Sequence, residues 1–343
     1  MNLKELSQTL GLSQTTVSRA LNGYPEVNGA TRERVERAAR QFGYRPNVRA
    51  KGLATGRALA IGHVIPIGTK PELVNPIFGD FIAGAGETYS RYGYEMILSI
   101  IDGRNEEAVY RGLKSRRAVD GVIIHGPRIS EPRISLLQEI GLPFAVHGRT
   151  GHFDKPFTWL DVNNQEAFRE ATNYLVDLGH RRIGLVNGPE KLDFAYRRRV
   201  GYLEVLNRHD IPVDPALMHS DPMTEDAGYA ASRAMLALPD PPTALLCASL
   251  VSALGARRAV EECGLFMARD VSIITHDDAL SYLQNGGDTP IFTATRSSVR
   301  DAGRRLAEML LEAIAHPEAP PQTEVLKAEL VIGQSTGPAP RKD

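Results

Sequence analysis

The sequence predicts two parts in tandem: a small all-α helix-turn-helix head, and behind it a larger two-lobe α/β core of parallel sheets with helices on both faces. Three observations carry this. Residues 12–22 form a short amphipathic stretch with Val17, Ala20 and Leu21 on one stripe and only neutral hydrogen-bonders and one arginine elsewhere. From residue 59 short apolar runs alternate with amphipathic stretches, the βαβα rhythm of a parallel sheet, and after residue 161 the rhythm restarts. Charge is divided as well: residues 1–57 hold ten Lys/Arg against four Asp/Glu, while the 343-residue chain as a whole stands at −1. A basic head on an acidic body is the asymmetry expected when only the head meets phosphate.

In chain order, Asn2 caps a first helix with the stripe Leu3, Leu6, Leu10, and Gly11 ends it. Ser13 caps the second helix. Gln14, Thr15, Ser18, Arg19 and Asn22 point away from its apolar stripe, and each can bond to a base edge or a phosphate. A merely solvated helix ordinarily carries Glu and Lys; the absence of acid here favours a helix that reads the major groove. Asn28 caps a third helix with the stripe Val35, Ala38, Ala39, Phe42, which completes a head of residues 1–45. In 46–57, Pro46 stops one element, Asn47 caps another and Gly56 ends it. A helix of about nine residues with Gly52 inside is marginal alone in water, so a flexible linker is the plain reading.

The core, 58–335, is expected to place strands at 59–65, 94–100, 119–125, 143–147 and 157–161, then at 182–187, 244–249, 271–276, 291–296 and 324–332. Helices are expected at 78–92, 105–116, 132–140, 165–178, 195–207, 226–236, 253–263 and 299–315. Open α/β sheets bind ligands beyond the carboxyl ends of their strands. That rule singles out His125, His147, Arg149, Asp161, Ser249 and Asp277. The two cysteines, Cys247 and Cys263, are expected as small core hydrophobes in a reducing cytoplasm. The first residues carry no apolar leader and no run reaches membrane-span length, which points to a cytoplasmic protein without a membrane. The tail, 336–343, has no leucine heptads, so a dimer is expected rather than a tetramer. P-loop, GxSxG, HExxH and strand-GxGxxG-helix motifs are all missing, and the histidines lack metal-ligand spacing. No enzyme activity, cofactor or metal is expected.

The run TVSRALN at 16–22 resembles the recognition helix of the lactose-repressor (LacI/GalR) family of bacterial transcription regulators. The run YRPNVRAKGLA at 44–54 resembles that family's hinge. The core resembles its effector domain through LGHRRI at 178–183, the Arg198-x-x-Gly201 spacing, Asp277-Asp278, and Ser335-Thr336. The resemblance implies two Rossmann-like lobes, similar to periplasmic sugar-binding proteins, with a ligand between them. It implies base reading by Gln14, Thr15 and Arg19 and backbone contacts from Ser13, Thr16, Ser18 and Asn22. It implies a hinge at 46–57 in which Leu53 wedges a minor-groove step and Ala50 lies beside the hinge of a second copy. The DNA partner implied is a double-stranded, pseudo-palindromic operator bound by a homodimer.

For the effector the resemblance implies Arg198 and Asp277 as principal contacts. Asn75 and Phe78 come from the NPIF run, and Met223 stands where some relatives place an aromatic. Ser249-Leu250 replaces the Asn-Asp pair of many relatives. His147-Gly148-Arg149 looks like sugar-responsive members, so a mono- or disaccharide is expected. The first lobe is expected to comprise 58–160 with 293–320, and the second 161–291 with 322–335. The expected function is a repressor whose operator affinity is controlled by that sugar. The alternatives are a transport-type solute receptor, or the same regulator answering a nucleobase.

Overall fold

A reciprocal cap starts the chain: the Asn2 side chain accepts from Glu5 N and the Glu5 carboxylate accepts from Asn2 N, both at 2.9 Å. These bonds satisfy helix donors that would otherwise be unpaired. The computed structural model describes residues 1–21, 23–44, 56–66, 75–101, 105–151 and 155–341, and divides into two units, Met1–Leu59 and Ala60–Asp343. In the first unit, α1 (Leu3–Leu10) ends at Gly11, whose φ of 63° is the left-handed conformation that favours glycine. Ser13 Oγ accepts from Thr16 N at 3.0 Å at the start of α2 (Gln14–Leu21). Asn28 caps α3 (Gly29–Gln41) through Thr31 N at 2.8 Å. Leu6, Leu10, Val17, Ala20, Val35 and Ala38 close a small apolar core between the three helices.

The second unit holds two sheets of six strands each. The first contains β1 (Ala60–Pro66), β2 (Glu95–Ile101), β3 (Gly121–His125), β4 (Phe144–His147), β5 (Thr158–Val162) and β11 (Thr323–Leu326), in the spatial order β2-β1-β3-β4-β5-β11. The second contains β6 (Ile183–Asn187), β7 (Met218–Ser220), β8 (Ala244–Cys247), β9 (Ser272–Asp277), β10 (Thr293–Arg296) and β12 (Glu329–Val331), ordered β7-β6-β8-β9-β10-β12. The two windings are the same. Every pairing is parallel except that of β10 with β12. The helices are α4 (Pro76–Tyr92), α5 (Glu106–Ser115), α6 (Pro132–Glu139), α7 (Asn164–Asp177), α8 (Asp193–Arg208), α9 (Glu225–Leu236), α10 (Leu250–Glu262) and α11 (Val299–Ala315). In the first lobe α4 and α11 pack together and onto the sheet through Phe81, Ala85, Leu306 and Leu310. Glycines permit that approach: a side chain on Gly84 would strike the Arg300 carbonyl, and one on Gly303 the Phe81 carbonyl. The second lobe has an apolar layer on each sheet face, one around Phe168 and Tyr202, the other around Met235 and Val260.

Several expectations are corrected. The run at 324–332 is not one strand but two, β11 beside β5 and β12 beside β10, because the chain changes lobe at Lys327-Ala328. The lobe limits shift accordingly. β10 pairs with β9 in the second sheet, so 293–296 leaves the first lobe, and Thr323–Leu326 joins it. Strand β7, three residues long, is too short to show a period. Cys247 is buried but Cys263 is exposed, where its sulfur accepts from Arg233 Nη1 at 3.0 Å. The expected tail is tethered as far as Ala339, whose N–H donates to Leu178 O at 2.8 Å.

Candidate functional site

In the head, packing divides α2 into two sides. Val17 and Ala20 are buried against the other helices, while Gln14, Thr15 and Arg19 are exposed. Thr16 and Ser18 are half-buried, and the Ser13 and Thr16 hydroxyls lie 2.8 Å apart in the cap. The helix therefore presents an amide, a hydroxyl and a guanidinium outward, the donor and acceptor types that read base edges. Asn22, Ala50 and Leu53 lie outside the described residues.

In the second unit a cavity of about 440 Å³ opens between the lobes, within the range of roughly 300–1,000 Å³ usual for small-ligand clefts. Its position follows from topology. Strand order reverses between β1 and β3 in one sheet and between β6 and β8 in the other, and ligands in such sheets bind at that reversal. The first lobe contributes Val64 and Ile65 from β1, His125, His147 and Asp161 from the ends of β3, β4 and β5, and Asn75, Phe78 and Phe81 from around the start of α4. Across the cleft stand Phe194 and Arg198 of α8, Met223, His276 and Asp278. Asn75 holds the start of α4 by accepting from Ile77 N at 3.0 Å.

Arg198 is the best-anchored polar group. Its Nε donates to Asn164 Oδ1 at 2.7 Å and its Nη1 to Ala248 O at 2.6 Å. Its guanidinium lies 5.0 Å from the ring centres of both Phe168 and Phe194. Burial lowers its pKa to about 10, while Asp278 and Asp161 nearby favour the charge, so it stays a cation at neutral pH. Asn164 Nδ2 in turn donates to Asp161 Oδ1 at 3.1 Å, and Asp161 Oδ2 accepts from Arg149 Nε at 2.8 Å. The Arg198-x-x-Gly201 spacing has a physical cause. A side chain on Gly201 would run into the Gln165 carbonyl, so only glycine lets α8 approach α7 closely enough for Arg198 to reach Asn164.

The histidine wall is equally connected. His125 and His147 are register partners on adjacent strands. Phe81 stacks on His147 at 4.3 Å, and the edges of Phe78 and Phe81 meet His125 at 5.0 and 4.9 Å. Behind them His63 Nδ1 lies 2.9 Å from His125 Nε2. Burial pulls the pKa of His63 down to about 3, that of His147 to about 4, and that of His125 well below its ordinary value, so these rings are neutral. Asp278 is pushed up to about 7 by burial, with Arg198 opposing the rise. Backbone bonds from Ile129 N to Lys191 O, 3.2 Å, and from Asp193 N to Pro127 O, 3.0 Å, join the lobes at the cleft mouth.

Three expected contacts do not line the cleft. Asp277 folds back on its own turn: its Oδ1 accepts from Ala279 N at 2.8 Å and its Oδ2 lies 3.7 Å from Arg296 Nε. Asp278, one residue on, takes the wall position, as expected where successive side chains of an extended segment face opposite ways. Ser249 is the buried cap of α10, accepting from Ser252 N at 3.2 Å. Arg149 stands behind Asp161 with its guanidinium 5.6 Å from the centre of the Trp159 ring. Sequence reading missed His63, Phe81, Asn164, His276 and Asp278. Phe81 was accessible as the i+3 partner of Phe78, and His63 as a lone polar residue in an apolar strand.

Residues 2–47 match the family model described as bacterial regulatory proteins, lacI family, and residues 172–336 match a periplasmic binding protein-like domain. The chain is 45% identical over 340 residues to the HTH-type transcriptional regulator AglR of Rhizobium meliloti (strain 1021), covering 99% of this chain and 95% of that one. In structure it is similar to the transcriptional regulator CelR–cellobiose complex, with a TM-score of 0.72, 28% identity and coverage of 98% and 99%. It is similar too to the lac repressor dimer bound to operator and the anti-inducer ONPF, with a TM-score of 0.83, 25% identity and coverage of 98% and 99%.

Proposed function

The chain belongs to the lacI family of bacterial regulatory proteins and is thus a DNA-binding transcription regulator, and we propose that a neutral mono- or disaccharide held in the interlobe cleft sets its affinity for a pseudo-palindromic operator. The observation that carries the sugar reading is the mixed character of the lining. Phe78, Phe81 and Phe194 give the lining an aromatic, apolar part that suits the apolar side of a pyranose, while Arg198, Asp278, His125 and His147 offer donors and acceptors to its hydroxyls. Asp278 and Asp161 lie near enough to favour the Arg198 charge, which lowers its need for an anionic ligand. A related regulator spanning nearly the same length is known with cellobiose, which supports the same class here. These features favour a sugar over a nucleobase, and the lacI-family head disfavours a transport receptor.

On this reading Gln14, Thr15 and Arg19 read bases, Ser13, Thr16, Ser18 and Asn22 touch the backbone, and residues 46–57 form the hinge, with Leu53 as wedge and Ala50 beside it. The protein acts as a homodimer in the cytoplasm. The sugar acts through its differential affinity for two arrangements of the lobes. A thermal-shift screen of mono- and disaccharides tests the effector class. The expected result is a shift from at least one sugar that also changes affinity for a palindromic promoter fragment. No shift from any sugar, or a shift with unchanged DNA affinity, would overturn the proposal.

A further inference from the structure

Behind the cleft wall a buried chain of three polar groups runs from α4 to the ligand space. The Tyr89 hydroxyl lies 3.1 Å from His63 Nε2, and His63 Nδ1 lies 2.9 Å from His125 Nε2. Tyr89 and His63 are almost wholly buried, at 1% and 0% exposure, and neither lines the cavity; His125 does. Such a chain can be ordered in two directions, because each neutral imidazole carries one N–H and one lone-pair nitrogen. Tyr89 decides between them. Its hydroxyl bonds to His63 and to no other group among the described residues. If it accepted from His63, its own proton would be buried without an acceptor, which costs about 1–3 kcal/mol. The phenol therefore donates to His63 Nε2. His63 must then carry its proton on Nδ1 and donate to His125 Nε2. His125 in turn must hold its proton on Nδ1, the nitrogen that makes no hydrogen bond to the described residues.

We infer that Tyr89 and His63 are positioning residues that fix His125 as a hydrogen-bond donor toward the cleft, so that this part of the wall selects a ligand oxygen able to accept, such as an acetal or ring oxygen. The inference rests on the sugar reading of the cleft for its ligand half, but not for the direction of the relay. A group that only donates is refused at this position, because two facing N–H groups leave both unpaired. His63 and Tyr89 thus act on specificity without touching ligand.

The test uses the full-length protein with ¹⁵N-labelled histidine. Two-bond ¹H–¹⁵N spectra report which ring nitrogen of each histidine is protonated. In the wild type both His63 and His125 are expected to be protonated on Nδ1. Tyr89→Phe removes one oxygen and with it the anchor, and is expected to give a mixture of tautomers at His63 and His125. A wild-type His125 protonated on Nε2, or unchanged tautomers in Tyr89→Phe, would overturn the relay. Calorimetry with maltose, melibiose and cellobiose forms the second arm. For whichever sugar binds the wild type, Tyr89→Phe is expected to weaken binding at least fivefold. Unchanged affinity would overturn the role in specificity, even if thermal stability fell. If none of the three binds the wild type, the ligand half falls together with the sugar reading, while the spectra still decide the direction of the relay.

Discussion

Asn164 Oδ1 accepts from Arg198 Nε at 2.7 Å while Asn164 Nδ2 donates to Asp161, so one amide joins the cation of the second lobe to the carboxylate at the end of β5. An amide suits this place because it accepts on one side and donates on the other. Asn164→Ala leaves a buried guanidinium short of one acceptor. The expected loss is about 1–3 kcal/mol in stability together with at least tenfold in effector affinity, measured by urea denaturation and calorimetry. A variant with full affinity would show that Arg198 needs no such orientation.

Gly201 should be as unforgiving as the arginine it serves. Gly201→Ala forces the added methyl against the Gln165 carbonyl, an overpacking that costs about 1–3 kcal/mol. The melting temperature of the core should fall and effector binding should weaken, since α8 moves away from α7. DNA binding by the head should be retained when assayed at low temperature.

Asp278 gives effector binding a pH profile near neutrality. Burial raises its pKa to about 7, and sugar hydroxyls donate better to the carboxylate than to the acid. Binding therefore favours the ionised form, and affinity should rise as pH rises through about 7 and fall below it, by up to about tenfold per pH unit. Asp278→Asn should flatten the profile. An unchanged slope in that variant would assign the titration to another group.

The buried histidines set an acid limit on stability. His63, His125, His147, His180 and His276 all have lowered pKa values, mainly through burial. In the unfolded chain they bind protons below about pH 6.5, whereas the folded rings resist doing so. Their stabilising contribution is thus complete above that value and declines as pH falls toward about 4 for His147 and about 3 for His63. Denaturation midpoints at pH 7 and pH 5 should differ in that sense, and His147→Gln should reduce the difference.

On the DNA side Arg19→Ala should cost about 1–3 kcal/mol at the true operator, the value of a bidentate base contact, and far less on random duplex. Fluorescence anisotropy on both DNAs at matched salt checks this. Equal losses would mean that Arg19 meets phosphate only.

Much of the architecture was legible because it rests on periodicity. The centres of the strands expected at 119–125 and 182–187, Gly121–Ile124 and Ile183–Val186, are apolar without interruption, as buried parallel strands tend to be, and the stripe through Val17, Ala20 and Leu21 marks α2 unaided. The cleft was legible only in outline. Strand ends name the neighbourhood of His125, His147 and Asp161, but not which neighbour turns inward. Asp277 and Asp278 are chemically identical, and the Asx turn closed by Asp277 on Ala279 has no sequence signal that separates them. His63 escaped notice because a polar residue inside an apolar strand acquires meaning only once Tyr89 and His125 stand beside it. The lobe change at Lys327-Ala328 was hidden because two strands with a two-residue break read as one run.

That late lobe change bears on how the molecule is made. β11 and β12, at 323–326 and 329–331, supply the last strand of each sheet, so neither lobe is a continuous stretch of chain. During translation both sheets should wait, one edge uncovered, until residues 323–331 have left the ribosome. A nascent chain stalled before residue 323 should hold neither lobe in finished form.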